Sequence, residues 1–241
     1  MKFNENFAAI HAYLSADGYV IKNPATQKHK YYHIGLRNTN ETLLKDFQNK
    51  FNKQFKIKSH IAKDGRCRIQ NKQLYYKLTK DYSFYSKEWQ LPESLPKRLL
   101  SVWLRAFFDC ESWVFVKVHQ NRQIGVDSIN HKGLKSIKRA LGNLGIESII
   151  KKVKNGKMSR LYIYKKDSLI KYQKYIGFLH EDKEKRLQNA IDSYVDYNWR
   201  LNKSNIKSII LNKTRFKKPY TIRIISKIKN NLLIILNQLI I

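Results

Sequence analysis

The chain has 241 residues, with 48 lysine or arginine against 18 aspartate or glutamate, a formal charge of +30 and a pI near 10.1. Its 42% hydrophobic and 12% aromatic content can bury a substantial core, which excludes a basic disordered tail and leaves one large domain or two small ones. Such a charge speaks to partners rather than to fold: a polyanion is expected, and with no long basic amphipathic helix in view, nucleic acid is favoured over a membrane surface.

In chain order, Phe7 to Leu14 is an apolar helical stretch with small residues four apart at Ala12 and Ala16, closed by Asp17-Gly18 and followed by the strand-formers Tyr19 and Val20. The segment Ile34-Gly35-Leu36-Arg37-Asn38-Thr39-Asn40 then leads into a helical pattern carrying Leu43, Phe47 and Phe51. A hairpin signal follows at Asp64-Gly65. The first unit covers residues 1–88, and residues 89–96, with Pro92 and Pro96, are the expected linker.

Pro96 is expected as the first helical residue of a segment bearing Leu99, Leu100, Trp103, Phe107 and Phe108, with small residues at Ala106 and Cys110. That helix ends on Glu111 and turns into Trp113, Phe115, Val116 and Val118. A carboxylate at a helix C-terminus faces the negative end of the dipole, so Glu111 needs a compensating cation or donor. The downstream pattern then repeats: Ile124-Gly125-Val126-Asp127-Ser128-Ile129-Asn130, a helix with Leu134, Ile137 and Leu141, and a second hairpin signal at Asn155-Gly156. Each half reads helix, strand, strand, helix, strand, strand, helix, with residues 97–179 as the second unit. Residues 180–241 form a basic extension: Glu181 to Asn198 carries a stripe of Leu187, Ile191, Tyr194 and Val195, and beyond Asp196 there are ten basic residues and no acid. That extension is read either as a further DNA-contacting arm or as a docked helix or strand.

The two helix-acid-strand stretches resemble the LAGLIDADG motif of homing endonucleases, with Asp17 and Glu111 at its final acidic position. Gly18 fits the terminal glycine and Ser112 departs from it. Asp109 retains the inner acid and Ser15 departs from it. His11 and Arg105 stand at the usual small second position, and both are expected to point away from the helix seam. The resemblance implies an α+β fold, a pseudo-twofold duplicated αββαββα in which two antiparallel sheets form a DNA-binding saddle and the motif helices form the seam. It implies a monomeric, single-chain, intron-encoded endonuclease of long DNA sites that leaves 3′ overhangs.

Phosphodiester hydrolysis requires charge neutralisation, an activated water and a stabilised leaving oxygen, all of which a carboxylate-held divalent ion supplies. Mg2+ prefers hard oxygen ligands and keeps several waters, so Asp17 and Glu111, one per motif, are its expected ligands and the catalytic pair. Asn38 and Ser128 resemble the polar positions flanking the acids in this family, and serve equally as helix N-caps. Lys72 and Lys165, taken as ends of the fourth strands, are candidates for polarising the phosphate. Gln27, Lys30, Arg37, Arg66, Arg68, Lys117, Gln120, Arg122, Gln123 and Lys157 are the candidate readers of base edges, each with a solvated face or a phosphate contact as its ordinary reading. The alternatives are an intron RNA maturase, with RNA as partner, and a non-cleaving DNA-binding regulator. Cys67 and Cys110 fit neither a disulfide framework nor zinc spacing, the N-terminus lacks a secretory h-region, and Leu232 to Leu236 is too short to span a bilayer. The expected place is intracellular, in cytoplasm, nucleoid or organelle matrix, not secreted.

Overall fold

Four asparagines start four of the helices. The side chains of Asn4, Asn40, Asn71 and Asn130 accept from the backbone N–H groups of Phe7, Leu43, Leu74 and Gly133 at 2.8–3.1 Å, satisfying a donor that the helix itself leaves free. A computed structural model describes residues 1–117, 121–153 and 156–194. Its first repeat is α1 (Glu5–Ser15), β1 (Gly18–Lys22), β2 (Tyr32–Arg37), α2 (Glu41–Phe55), β3 (His60–Ala62), β4 (Arg66–Gln70) and α3 (Lys72–Thr79). The second is α4 (Lys97–Glu111), β5 (Ser112–Lys117), β6 (Asn121–Ser128), α5 (His131–Asn143), β7 (Ile149–Lys152), β8 (Ser159–Ile163) and α6 (Lys166–Tyr175), followed by α7 (Glu181–Asp192). Pro96 is the residue before α4 rather than its first, because its φ of −54° is paired with an extended ψ of 147°.

Each repeat makes one antiparallel four-stranded sheet, in the orders β1-β2-β4-β3 and β5-β6-β8-β7. The registers correspond: Gly18 faces Leu36 as Ser112 faces Val126, and Arg37 faces Arg66 as Asp127 faces Arg160. Alternation puts Val20, Ile34, Leu36, Cys67 and Ile69 on the buried side of the first sheet, and Val114, Ile124, Val126, Leu161 and Ile163 on that of the second. The opposite faces carry Tyr19, Arg37, Arg66 and Arg68 in one sheet, and Trp113, Phe115, Gln123 and Arg160 in the other.

Helices α1 and α4 pack together at the seam and bury Ala8, Ala9, Ala12 and Ala106. Small residues let the two backbones approach, and Trp103, Phe107 and Phe108 fill the space on either side. His11 was expected to point outward and does not. It is 1% exposed, and its Nδ1 accepts from Trp103 Nε1 of α4 at 3.1 Å. A ring at that position is tolerated because it replaces apolar packing with a hydrogen bond across the seam, and burial lowers its pKa to about 3, keeping it neutral. Arg105 does point away, donating from Nε to Ile176 O at 2.8 Å.

Helix α7 packs against β5 and α6 with Leu187 and Ala190 buried, so the chain as far as residue 194 belongs to the folded unit. The remainder of the basic extension lies outside the described residues. Among the described residues no helix is long and apolar enough to cross a membrane.

Candidate functional site

Both motif helices end at the same place in the fold and turn directly into a strand, which brings Asp17 and Glu111 together beside the seam. At the first turn Gly18 is required by space, since a Cβ there would lie 2.4 Å from Leu14 Cα and 2.9 Å from Tyr13 O. At the second, Ser112 has an extended backbone (φ −92°, ψ 160°), and its hydroxyl donates to Phe108 O at 2.5 Å. The departure from glycine is therefore accommodated, with the side chain turned back onto its own helix.

The two acids have unlike surroundings. Asp17 Oδ2 accepts from Asn38 Nδ2 at 2.7 Å, while Asn38 Oδ1 accepts from the N–H of Asn40 at 2.8 Å. Asn38 is thus pinned by the entry to α2 and aims its amide at the acid. Its counterpart Ser128 is pinned in the same way, its Oγ accepting from Asn130 N at 3.0 Å. Neither residue is itself the N-cap; Asn40 and Asn130 are. The Glu111 carboxyl is pushed up to about 7, chiefly by burial and then by the charge of Asp17, against which Lys183 works. A carboxyl that is costly to ionise beside a second carboxylate is one that a bound cation would relieve.

Lys183, which sequence reasoning passed over, meets the demand set by an acid at a helix C-terminus. It reaches from α7 to the end of α4, its Nζ donating to the carbonyls of Phe108, Asp109 and Cys110 at 3.2, 2.6 and 3.4 Å. No feature of the duplicated pattern points to it, because α7 follows both repeats. Asp109 proves structural: 1% exposed, it accepts from the N–H groups of Leu179 and His180 at 3.0 Å and so ties α4 to the entry of α7. Cys110 lies at the seam with its thiol pushed well up, by burial first and then by Asp17 and Asp109.

The candidate lysines are not at this site. Lys72 opens α3 and Lys165 precedes α6, where it pairs with Glu147. The registers place Arg66 and Ser159 at the acid end of the fourth strands and Gln70 and Ile163 at the other, so Lys72 lies at least the length of β4, roughly 13 Å, from the acid end. Among the proposed base readers, Arg37, Arg66, Arg68, Lys117 and Gln123 lie on the open sheet faces, and Lys157 is exposed in the turn before β8. Asp64 pairs with both Arg66 and Arg68. Lys30 is folded back on its own loop, donating to the carbonyls of Pro24, Ala25 and Gln27, and the Gln27 amide oxygen accepts from Asn23. Arg122 is on the buried side of β6, where it donates to Ser193 Oγ and O at 2.6 and 2.5 Å and stacks on Tyr194; alternation along β6 reverses its direction relative to Gln123. Gln120 lies outside the described residues. Arg160, on the open face, was missed although it is the register equivalent of Arg66.

Asp17 and Glu111 supply hard oxygen donors, a set that fits Mg2+ or a similar ion completed by phosphate and water oxygens. Among the described residues no group of three or more His, Cys, Asp or Glu side chains could hold a metal unaided.

Comparison with curated proteins finds no match. Among solved structures, the homing endonuclease I-DmoI, in a study of its mesophilic variants, superposes with a TM-score of 0.55 at 20% identity over 76% of this chain and 99% of that one. The I-LtrWI LAGLIDADG homing endonuclease bound to target DNA gives 0.54 at 13% identity over 89% and 99%. I-SmaMI bound to uncleaved DNA target in the presence of calcium ions gives 0.54 at 12% over 79% and 91%. I-DmoI has also been crystallised with DNA and Mn, and a point variant of it with its target DNA in the presence of Mg. The profile of the LAGLIDADG-like domain matches twice, over residues 4–85 and 99–177, and with two acids at paired helix ends between two matching sheets, the chain belongs to the LAGLIDADG family in its duplicated form.

Proposed function

We propose that the protein is a monomeric, site-specific endonuclease that makes a staggered double-strand break in a long DNA site. The observation that carries this reading is the juxtaposition of Asp17 and Glu111 at the ends of α1 and α4, between two sheets whose open faces bear Arg37, Arg66, Arg68 and Lys117. The structures of I-DmoI with DNA and Mn, and of I-LtrWI and I-SmaMI with target DNA, support the same reading.

Asp17 and Glu111 would hold the divalent cation. Once bound, it would neutralise phosphate charge and acidify a water. Asn38 orients Asp17 and withholds one of its oxygens from free rotation. Lys183 holds the α4 terminus and offsets the charge of both acids, which lets two carboxylates share a partly buried site before the ion arrives. One acid per repeat on a pseudo-twofold axis suits one cut per strand. A pair of antiparallel ribbons suits the major groove, where all four base pairs are distinguishable.

The test is cleavage of a randomised duplex library with Mg2+ by the intact chain, Asp17→Asn and Glu111→Gln. Specific double-strand cutting that either substitution abolishes, with binding retained, is the expected result. Tight duplex binding without cutting would establish the regulator instead, and preference for structured intron RNA the maturase.

A further inference from the structure

The open face of the second sheet carries a group of side chains with no equivalent in the first. Arg160 donates from Nε and Nη2 to both oxygens of Asp127, directly opposite it on β6, with the Nη2 contact at 2.7 Å. The guanidinium also lies 5.3 Å from the ring centroid of Trp113 and 5.9 Å from that of Tyr162. Trp113 can lie flat here because Gly125 is opposite it; a Cβ on Gly125 would come within 2.1 Å of the indole. The fork is therefore fixed in direction by an acid and two rings, while the Arg160 side chain keeps 31% of its surface exposed.

At the corresponding places of the first sheet stand Arg37 and Arg66, facing each other, with Tyr19 over Gly35; Asp64, in the turn between β3 and β4, is shared between Arg66 and Arg68 and so offsets only one of the three arginines. That arrangement has surplus positive charge and suits phosphate. The Asp127–Arg160 pair does not: its charges cancel, and the acid repels a phosphate oxygen. What remains is a planar edge of unused N–H donors, held rigid, next to an acceptor. A neutral partner with two acceptors side by side matches it, and in duplex DNA that is guanine, whose O6 and N7 face the major groove. The pair sits one register step from Ser112 and Val126, so it is at the end of the sheet nearest Glu111.

We propose that Arg160, buttressed by Asp127 and Trp113, is a specificity-determining residue that reads a guanine in the half-site under the second sheet, close to the acid pair. The inference rests on the DNA-binding part of the proposed function and not on cleavage. Its test is selection of bound sequences from a randomised duplex library by the full chain in the presence of a chelator, so that binding is read without cutting. Wild type should return a guanine at one position of one half-site. Arg160→Lys, which keeps the charge and loses the fork, should lose that preference, with affinity for the selected site falling roughly tenfold or more while preferences elsewhere persist. Asp127→Asn should relax the same position. An unchanged guanine preference in Arg160→Lys, or an equal loss of affinity for every sequence, overturns the assignment. If wild type enriches no sequence, the DNA-binding reading has failed and this one with it. Enrichment without cutting when metal is restored fails only the nuclease and leaves Arg160 as assigned.

Discussion

At the scale of single residues, the acid pair makes its own predictions. Asn38 fixes Asp17 through one hydrogen bond, so Asn38→Ala should reduce cleavage by roughly 10- to 100-fold, as loss of a partner to a metal-ligating group does, with DNA affinity little changed. The same substitution at Ser128 should cost less, because its hydroxyl accepts from the Asn130 N–H. Glu111 also sets a pH dependence. Its carboxyl is raised from 4.5 to about 7 and that of Asp109 from 3.8 to about 6, both mainly by burial, so the folded state holds these protons more tightly than the unfolded chain. The associated stability is complete below about pH 4 and is lost as pH rises through 6 to 7. A divalent ion that needs ionised Glu111 should oppose this loss. Thermal melts with and without Mg2+ should therefore show a larger rise in Tm at pH 8 than at pH 5.5, and Glu111→Gln should remove most of the difference.

Two elements hold the acids in place, and each can be tested by one substitution. Gly18 marks the place where β1 leaves α1 against the backbone of Leu14, so Gly18→Ala must push the Asp17 turn outward; about 1–3 kcal/mol of stability should be lost, with cleavage falling more than DNA binding. Helix α7 closes the other end. Lys183→Met strips the last carbonyls of α4 of their cation, and a loss on the order of 1–2 kcal/mol in chemical denaturation is expected, with weaker apparent Mg2+ dependence of cutting; Lys183→Arg should restore part of both. An unchanged denaturation midpoint in Lys183→Met would sink the capping role.

For the whole molecule, a formal charge of +30 makes binding a matter of counterion release. Affinity for any duplex should fall by about 10³-fold or more between 50 and 200 mM salt, measured by fluorescence anisotropy, whereas the ratio of specific to non-specific affinity should change far less. The duplication, the two acids and the order of strands and helices are local or periodic properties, so the sequence by itself determined them: Asp17 and Glu111 each end an apolar helix, and a shared downstream pattern relates them. The direction a side chain takes is different. Arg122 and Gln123 are adjacent and equally polar, and only the pairing of β5 with β6, and the arrival of Ser193 and Tyr194, decided which of them faces inward. Lys72 and Lys165 follow the strand ends remote from the acids, which sequence could not foresee because the ends of a strand look alike until register assigns one of them to the acids. His11, Lys183 and the Arg160 fork depend on contacts with residues distant in the chain, on α4, at the end of α4 and on β6, respectively. Such contacts form only once the core has brought those elements together, so tertiary structure alone decided them.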